Sequence, residues 1–253
     1  MTEKHPEKSH RKGWYRYLFV KSLVRLFYPK ITVSGAENLP EKPALIIGNH
    51  CHMNGPITAE LYMPRKRYTW CASEMMDRKE VPAYAFQDFW SEKPKWTWWF
   101  YKAMSHLIAP LSEIVFTNAD TIAVYHDRRV LTTLRETAER LEEGADAVIF
   151  PEHHVPYGTI LYEFQEGFVE TARIYFKKTG RRVSFVPFYI APALKRAYLG
   201  TPVVYDPENP PAEERRRITK YLMEEITRMA EVLPRHRVVP YPNIPKKEYP
   251  YSR

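Results

Sequence analysis

The sequence predicts an α/β fold in which helices flank a mostly parallel sheet. Two apolar runs, ALIIG at residues 44–48 and DAVIF at residues 146–150, are nearly continuous, as in strands buried on both faces of a parallel sheet. Amphipathic segments of helical period alternate with these and with further apolar runs. This alternation predicts one α/β domain, preceded by a helical segment.

The individual elements are predicted by their periodicity and by the residues that end them. The segment at residues 13–30 is predicted to be helical and to end at Pro29. A second helix is predicted to begin with Asn54 or Gly55 as its N-cap and with Pro56 in its first turn. Later helices end at Gly144 and at residue 180, also glycine, because glycine accepts the left-handed conformation that closes a helix. The remaining predictions are strands at residues 31–35, 44–48, 67–73, 121–126, 146–152 and 182–192, and helices at residues 128–144, 167–180 and 211–233.

Composition divides the chain into three segments. We predict a basic, aromatic membrane-associating segment at residues 1–30, an α/β domain at residues 31–234, and a proline-rich basic tail at residues 235–253. Cys51 and Cys71 are the only cysteines, which fits a reducing compartment. The sequence shows no signal peptide and no apolar stretch long enough to span a bilayer.

The positive charge lies at the two ends of the chain. The net charge is +8, while residues 1–30 alone carry +6 and residues 235–253 carry +4. Residues 84–101 contain nine aromatic residues in eighteen positions, with lysines within and beside them. Basic and aromatic residues together favour binding to a membrane surface, although solvated ends, a helix packed on its own domain and an aromatic mini-core also fit. No RNA-binding signature is present, so nucleic acid is not an expected partner.

Polar residues follow two of the predicted strands. The segment NHCH, residues 49–52, follows the first of them, and PEHH, residues 151–154, follows the second. In open α/β sheets, functional sites gather beyond the carboxyl ends of the strands. If the two strands are parallel neighbours, His50 and Glu152 should therefore face one crevice.

Three chemistries suit these residues. A metal site would use His50 and His52, completed by Glu152 and a histidine from residues 153–154. A nucleophilic thiol would use Cys51, but adjacency to histidines in sequence does not supply the required geometry. A general base would be one histidine at a helix N-terminus, oriented by a carboxylate. The residues favour the general base only slightly over the metal, so the alternatives stay open.

Three ordered blocks of the chain carry a resemblance. Between residues 31 and 190 the chain contains, in this order, GAENLPEKPALIIGNH, LEEGADAVIFPE and FQEGFVETARIYFKKTGRRVSFVPFYI. Together they resemble the lysophosphatidic acid and glycerol-phosphate acyltransferase family. The resemblance implies a sheet between helices, behind a membrane-associated helical segment. It also implies transfer of a fatty acyl group from a CoA or carrier-protein thioester to a glycerophospholipid hydroxyl.

The resemblance also assigns roles to residues. It makes His50 the general base and places Glu152 in the acceptor site. Gly167 would open the helix behind that site, and Arg128 is the preferred candidate for a phosphate-binding arginine. The complete set of predicted site residues is His50, Glu152, His52 and Asn54 for catalysis, and Arg128, Pro151, His153, His154 and Gly167 for substrate binding.

Two departures from the family pattern concern catalysis and the acceptor. The family has an aspartate five residues after the histidine, where this chain has Gly55, and Gly-Thr-Arg after the glutamate, where residues 153–155 are His-His-Val. In a comparable triad, losing the charge of that carboxylate costs about 10⁴ in turnover. The chain is therefore either non-catalytic or has a replacement partner for His50. The candidates are Asn54, His52, His154 and Glu152.

We therefore expect an acyltransferase that moves a fatty acyl group from acyl-CoA or an acyl-carrier thioester to a hydroxyl of a glycerol-phosphate or lysophospholipid-like acceptor. The alternatives are a catalytically impaired acyl- or lipid-binding member of the same fold, and a His/Glu metal-dependent hydrolase. No cofactor and no bound metal are expected beyond the thioester co-substrate. We expect a cytoplasmic protein, peripherally associated with a membrane through its N-terminus and residues 84–102.

Overall fold

A computed structural model describes residues 13–252 of the chain, and it has the predicted α/β architecture with a mostly parallel central sheet flanked by helices. The helices are α1 (Trp14–Phe27), α2 (Asn54–Tyr62), α3 (Val81–Ala85), α4 (Trp98–Asn118), α5 (Val130–Glu142), α6 (Glu170–Thr179) and α7 (Pro211–Glu231). The strands are β1 (Thr32–Ser34), β2 (Ala44–Gly48), β3 (Arg67–Ala72), β4 (Thr121–Val124), β5 (Asp146–Ile149), β6 (Glu152–Pro156), β7 (Tyr162–Phe164), β8 (Ser184–Ala191), β9 (Arg196–Leu199) and β10 (Val203–Val204).

The described residues form two compact units. One contains residues 13–28 and Cys71–Asp127, and the other contains Pro29–Trp70 and residues 128–252. The predicted division into segments 1–30, 31–234 and 235–253 remains a prediction, and residues 1–12 of its first segment lie outside the described residues. Within residues 13–252, no helix is both long and apolar enough to span a membrane.

The sheet of the second unit has the strand order β1-β9-β8-β2-β5-β3, with β10 paired to β8. The pairs β2–β5, β2–β8, β3–β5 and β1–β9 are parallel, whereas β9 and β10 are antiparallel to β8. All five residues of β2 are buried, which explains why ALIIG is a continuous apolar run. The parallel pairing of β2 with β5 meets the condition under which His50 and Glu152 would face one crevice.

The core of this unit is built from β2, β5 and β8 and the inner faces of α5, α6 and α7. One buried polar group fixes its edge: Asp146 is 2% exposed and accepts a hydrogen bond from the backbone N–H of Ala44 at 2.8 Å. The same carboxylate receives Nε and Nη2 of Arg65 at 2.9 and 2.6 Å. The start of β5 is thus bound to the start of β2, so both strands reach the same end of the sheet in register.

The first unit is largely helical. Helix α1 packs on α4, and a small core of Val81, Ala85 and Ala109 joins α3 to α4. Between them, residues Phe86–Trp90 form a single π-helical turn. Much of the aromatic stretch at residues 84–101 pairs with itself, since Trp90 stacks on Tyr101 with a centroid distance of 5.5 Å.

Most of the predicted elements are present with small shifts at their ends. Gly144 and Gly180 have φ values of +90° and +68°, as expected for residues that close helices. Helix α2 begins at Asn54, with Pro56 in its first turn, although the residue before it, Met53, occupies the cap position. The sequence pattern did not predict the two-stranded β6–β7 sheet, the strands β9 and β10, or the helices α3 and α4.

Candidate active site

The segment after β2 is fixed to the neighbouring strand by an asparagine side chain. Asn49 is 2% exposed; its Oδ1 accepts a hydrogen bond from the backbone N–H of Ile190 at 2.8 Å, and its Nδ2 donates to the carbonyl oxygen of Ile190 at 3.1 Å. This pair of bonds continues the pairing of β2 with β8 by one residue. The position of His50 is therefore set by the sheet.

The chain turns sharply just after His50. Cys51 and His52 have φ values of +47° and +54°, a left-handed conformation that costs non-glycine residues about 1–2 kcal/mol each. The turn is closed by the N–H of Gly55, which donates to the carbonyl oxygen of His50 at 3.0 Å, and by the N–H of Asn54, which donates to that of Cys51 at 3.1 Å. Two consecutive strained residues at the end of a buried strand are a feature expected at functional sites.

The imidazole of His50 lies among aromatic rings. Phe150 packs edge-to-face against it with a centroid distance of 5.5 Å, and Tyr241 does the same at 5.9 Å. Burial and, to a smaller extent, the nearby His52 lower the pKa of His50 to about 4, while the backbone of His52 acts in the opposite direction. His50 is therefore a neutral imidazole at neutral pH. It can accept a proton, but its low pKa makes it a weak base.

Glu152 lies beside His50 but is bonded to backbone. Its Oε1 accepts the N–H of His50 at 2.7 Å, and its Oε2 accepts the N–H of Tyr162 at 2.9 Å. The residue is 5% exposed, and burial raises its pKa to about 7 despite these two bonds. The two carboxylate oxygens thus hold the loop after β2 against the β6–β7 sheet, through the backbone N–H groups of His50 and Tyr162.

The position of the missing aspartate has no room for a side chain. A Cβ atom at Gly55 would lie 2.5 Å from the carbonyl oxygen of His50 and 3.0 and 3.1 Å from two ring carbons of Phe150. The first turn of α2 approaches the backbone of His50 this closely because glycine stands there. In place of a carboxylate, the backbone of His52 lies near the imidazole and acts to raise its pKa.

The other predicted catalytic residues have partners of their own. His52 donates from Nε2 to the carbonyl oxygen of Pro242 at 3.0 Å, and its ring packs against Tyr249. Asn54 donates from Nδ2 to the carbonyl oxygen of Cys51 at 2.9 Å. Both residues therefore stabilise the segment around His50.

The predicted substrate-binding residues are spread over a wider area. His153 and His154 are exposed on β6, and the ring of His154 packs against Tyr241 at 5.2 Å. Pro151 is buried, and its carbonyl oxygen accepts the N–H of residue 165. Arg128 is exposed in the turn before α5, and Gly167 lies in the one-turn helix Glu166–Val169 that leads into α6.

The geometry tests the two alternative chemistries. Among residues 13–252, no group of three His, Cys, Asp or Glu side chains is arranged to hold a metal ion, so the set required by the metal hypothesis is not assembled there. Cys51 is 1% exposed; its Sγ accepts Nδ2 of Asn49 at 2.8 Å and lies 3.4 Å from the carbonyl oxygen of Ile190. Burial raises the pKa of Cys51 well above its ordinary value, so it is a buried thiol and not a thiolate nucleophile.

Several aromatic residues around His50 were not anticipated. Phe150 directly follows β5. An apolar residue at this position indicates a strand but does not indicate a contact with His50. Tyr162 is in β7, and its ring is 6.2 Å from that of Tyr241. Tyr241 and Tyr249 belong to the proline-rich tail, and no pattern in that tail indicates that it folds back onto the loop after β2.

Comparison with known proteins gives a likeness to solved structures. No protein-family profile and no curated protein sequence matches the chain. The solved structure of the 1-acyl-sn-glycerophosphate (LPA) acyltransferase PlsC from Thermotoga maritima is similar, with 14% sequence identity and a TM-score of 0.47 over 88% of this chain and 83% of that one. The substrate given in that name is the substrate of the Thermotoga protein.

The close approach at Gly55 predicts that an aspartate cannot be restored there. Gly55→Ala should lower the free energy of unfolding by about 1–3 kcal/mol, because its Cβ overlaps backbone and ring atoms, and Gly55→Asp should lower it at least as much. Urea denaturation measures both. Gly167→Ala is the matched control: a Cβ there meets nothing within 4 Å, so the change should be below about 1 kcal/mol. Equal effects at the two glycines would contradict the steric argument.

The raised pKa of Glu152 predicts a pH-dependent stability. The folded protein keeps the Glu152 proton up to about pH 7, whereas the unfolded chain releases it near the ordinary pKa of about 4.3. Between about pH 4 and pH 8, the free energy of unfolding of the wild type should therefore fall by about 3 kcal/mol relative to Glu152→Gln.

Urea denaturation of both proteins at each pH measures this difference. Glu163→Gln, at an exposed position of β7, is the control and should run parallel to the wild type. A Glu152→Gln curve that also runs parallel to the wild type would show that the carboxyl group is ionised normally in the folded state.

Proposed function

We propose that the protein transfers a fatty acyl group from an acyl-CoA or acyl-carrier thioester to a hydroxyl of a glycerol-phosphate or lysophospholipid-like acceptor, with His50 as the general base. The observation that carries this proposal is the position of His50. It is a neutral imidazole held at the end of a central parallel strand, at the N-terminus of α2 and beside buried Glu152. The three sequence blocks that resemble acyltransferases supply the reaction class.

In the proposed reaction, an imidazole nitrogen of His50 accepts the proton of the acceptor hydroxyl. The oxygen then attacks the thioester carbonyl carbon, and the C–S bond breaks as the ester C–O bond forms. The departing thiolate takes the proton back from His50, so the enzyme returns to its starting state. Glu152 acts as a positioning residue, because its carboxylate holds the backbone N–H of His50.

The same geometry supports a second candidate, an acyl- or lipid-binding protein with impaired catalysis. The described contacts of the His50 ring are with Phe150, Tyr241 and the backbone of His52, and none of these groups carries the negative charge that stabilises an imidazolium. A base with a pKa of about 4 is also weaker than the optimum near the working pH. Measured turnover with a panel of acceptors separates the two candidates.

We also propose that the first unit binds a membrane surface. In α1, Phe19, Leu26 and Phe27 are exposed, the last by 80%, and Arg25 is exposed among them. Near the start of α4, Trp96 and Trp99 are 79% and 74% exposed and lie beside exposed Lys93 and Lys95. Exposed aromatic and basic side chains suit the interface of an anionic bilayer. Together with two free cysteines, this favours a peripheral membrane protein on the cytoplasmic side.

Loss of the imidazole should abolish acyl transfer. Purified protein, supplied with acyl-CoA and a panel of lysophospholipids and glycerol phosphate, should release free CoA only when an acceptor is present. His50→Ala should lower that rate at least about 100-fold, because the general base is lost. His106→Ala, at an exposed position of α4, should leave the rate unchanged.

The pH profile gives a second readout. The rate should stay level from about pH 8 to about pH 5 and fall as pH drops towards about 4, where His50 becomes protonated. No release of CoA with any acceptor would favour the second candidate, and full activity of His50→Ala would remove His50 from the mechanism.

The exposed tryptophans should drive vesicle binding. The double variant Trp96→Ala/Trp99→Ala should bind vesicles of phosphatidylcholine and phosphatidylserine at least about tenfold more weakly in a sedimentation assay, because two large apolar side chains no longer enter the interface. Val232→Ser removes an apolar residue that is 71% exposed in the second unit, and it should bind like the wild type. Equal binding by all three proteins would exclude the proposed surface.

A further inference from the structure

The C-terminal segment of the chain forms a loop with anchored ends. Residues 236–238 run antiparallel to residues 250–252: the N–H of Val238 donates to the carbonyl oxygen of Pro250 at 2.9 Å, and that of Ser252 donates to His236 at 2.9 Å. Residues 239–249 project between these two ends. Such a compact loop with neighbouring ends is a common functional element of protein surfaces.

Buried polar contacts fix the two ends. His236 is 4% exposed; its Nδ1 donates to the carbonyl oxygen of Pro234 at 2.8 Å, and its Nε2 accepts the hydroxyl of Tyr189 at 2.6 Å. The hydroxyl of Ser252, itself buried, accepts the N–H of His236 at 3.0 Å. Because Tyr189 belongs to β8, the base of the loop is attached to the central sheet.

The projecting part of the loop lies over the candidate active site. The ring of Tyr241 packs against His50 and His154, with centroid distances of 5.9 and 5.2 Å. The carbonyl oxygen of Pro242 accepts Nε2 of His52 at 3.0 Å, and the ring of Tyr249 packs against His52 at 6.1 Å. These contacts place the projecting part of the loop against His50 and His52.

The difference between the base and the projecting part suggests a hinged cover. The base has buried residues and several hydrogen bonds, whereas residues 243 and 245–248 are exposed. Tyr241, Pro242 and Tyr249 hold the projecting part against the site, and a segment held by such surface contacts opens at a lower free energy than the core. An acceptor hydroxyl must come within about 3 Å of a His50 nitrogen, and Tyr241 packs against that ring.

We propose that residues 239–249 are an autoinhibitory cover of the His50 site. The cover swings away from Tyr241 outward while the pairing of residues 236–238 with residues 250–252 holds its base. Substrate reaches His50 only in the open state. This regulation rests on the proposed function of His50, but the cover itself can be tested without any acyl-transfer activity.

The test measures how fast His50 reacts with diethyl pyrocarbonate, which modifies neutral imidazole, using peptide mass spectrometry of the full-length protein. In the wild type, His50 should react much more slowly than exposed His126, the internal reference. Tyr241→Ala should raise the rate at His50 about tenfold, because the ring contacts that favour the closed state are lost. The rate at buried His236 should not change.

Two variants serve as controls. Tyr241→Phe keeps the ring contacts with His50 and His154, so His50 should react more slowly in it than in Tyr241→Ala. Tyr251→Ala removes a tyrosine from the base of the same segment, where its ring contacts Arg235 and Arg237, and His50 should keep its slow rate. An unchanged rate at His50 in Tyr241→Ala would overturn the proposal. So would an equal rise at His50 and His236, because Tyr241 would then support the fold and not a cover.

Acyl transfer by the same variants separates this proposal from the proposed function. If Tyr241→Ala exposes His50 but no variant transfers an acyl group, the cover stands and the enzymatic proposal fails. If the wild type is active and Tyr241→Ala neither exposes His50 nor raises the rate of transfer, the enzymatic proposal stands and the cover is overturned.

Discussion

The site depends on one buried carboxylate that bridges two backbone segments. Glu152 accepts the N–H of His50 with one oxygen and the N–H of Tyr162 with the other, so it joins the loop after β2 to the β6–β7 sheet. A buried backbone N–H without a partner is costly, and a buried carboxylate needs donors for the same reason. Each group thus satisfies the other, and the imidazole of His50 is held at a fixed point beyond the sheet.

This use of Glu152 explains the unusual surroundings of His50. Because both carboxylate oxygens are engaged with backbone, the side chain partners of the imidazole are aromatic. The left-handed turn at Cys51 and His52 brings backbone polar groups close to it, and Gly55 lets α2 approach without a side chain. Such surroundings keep His50 neutral but provide little stabilisation for its protonated form. The described contacts therefore fix the position of the His50 imidazole without placing a charged side chain against it.

The fold was largely predictable because its pattern is local. The apolar run of β2, the amphipathic period of α5 and α7, and the glycines after α5 and α6 each indicate their element within a short window. The β6–β7 sheet and the strand β9 were missed because segments such as EHHVP, YEF and RAYL contain no continuous apolar run, and β10 was missed because it has only two residues. Helix α4 was missed because aromatic residues on several faces obscure its period.

The sequence by itself determined the order and type of most elements, and it placed His50 and Glu152 after two strands that proved to be parallel neighbours. Only the tertiary structure decided which groups face the imidazole. Glu152 accepts a hydrogen bond from the backbone N–H of His50, and Gly55 leaves no room for the aspartate that the family has there. Tyr241, which lies far from His50 in the sequence, packs against its imidazole ring. The physical reason is that sequence periodicity encodes burial and local conformation, whereas partners far apart in the chain are chosen only when the whole core has packed.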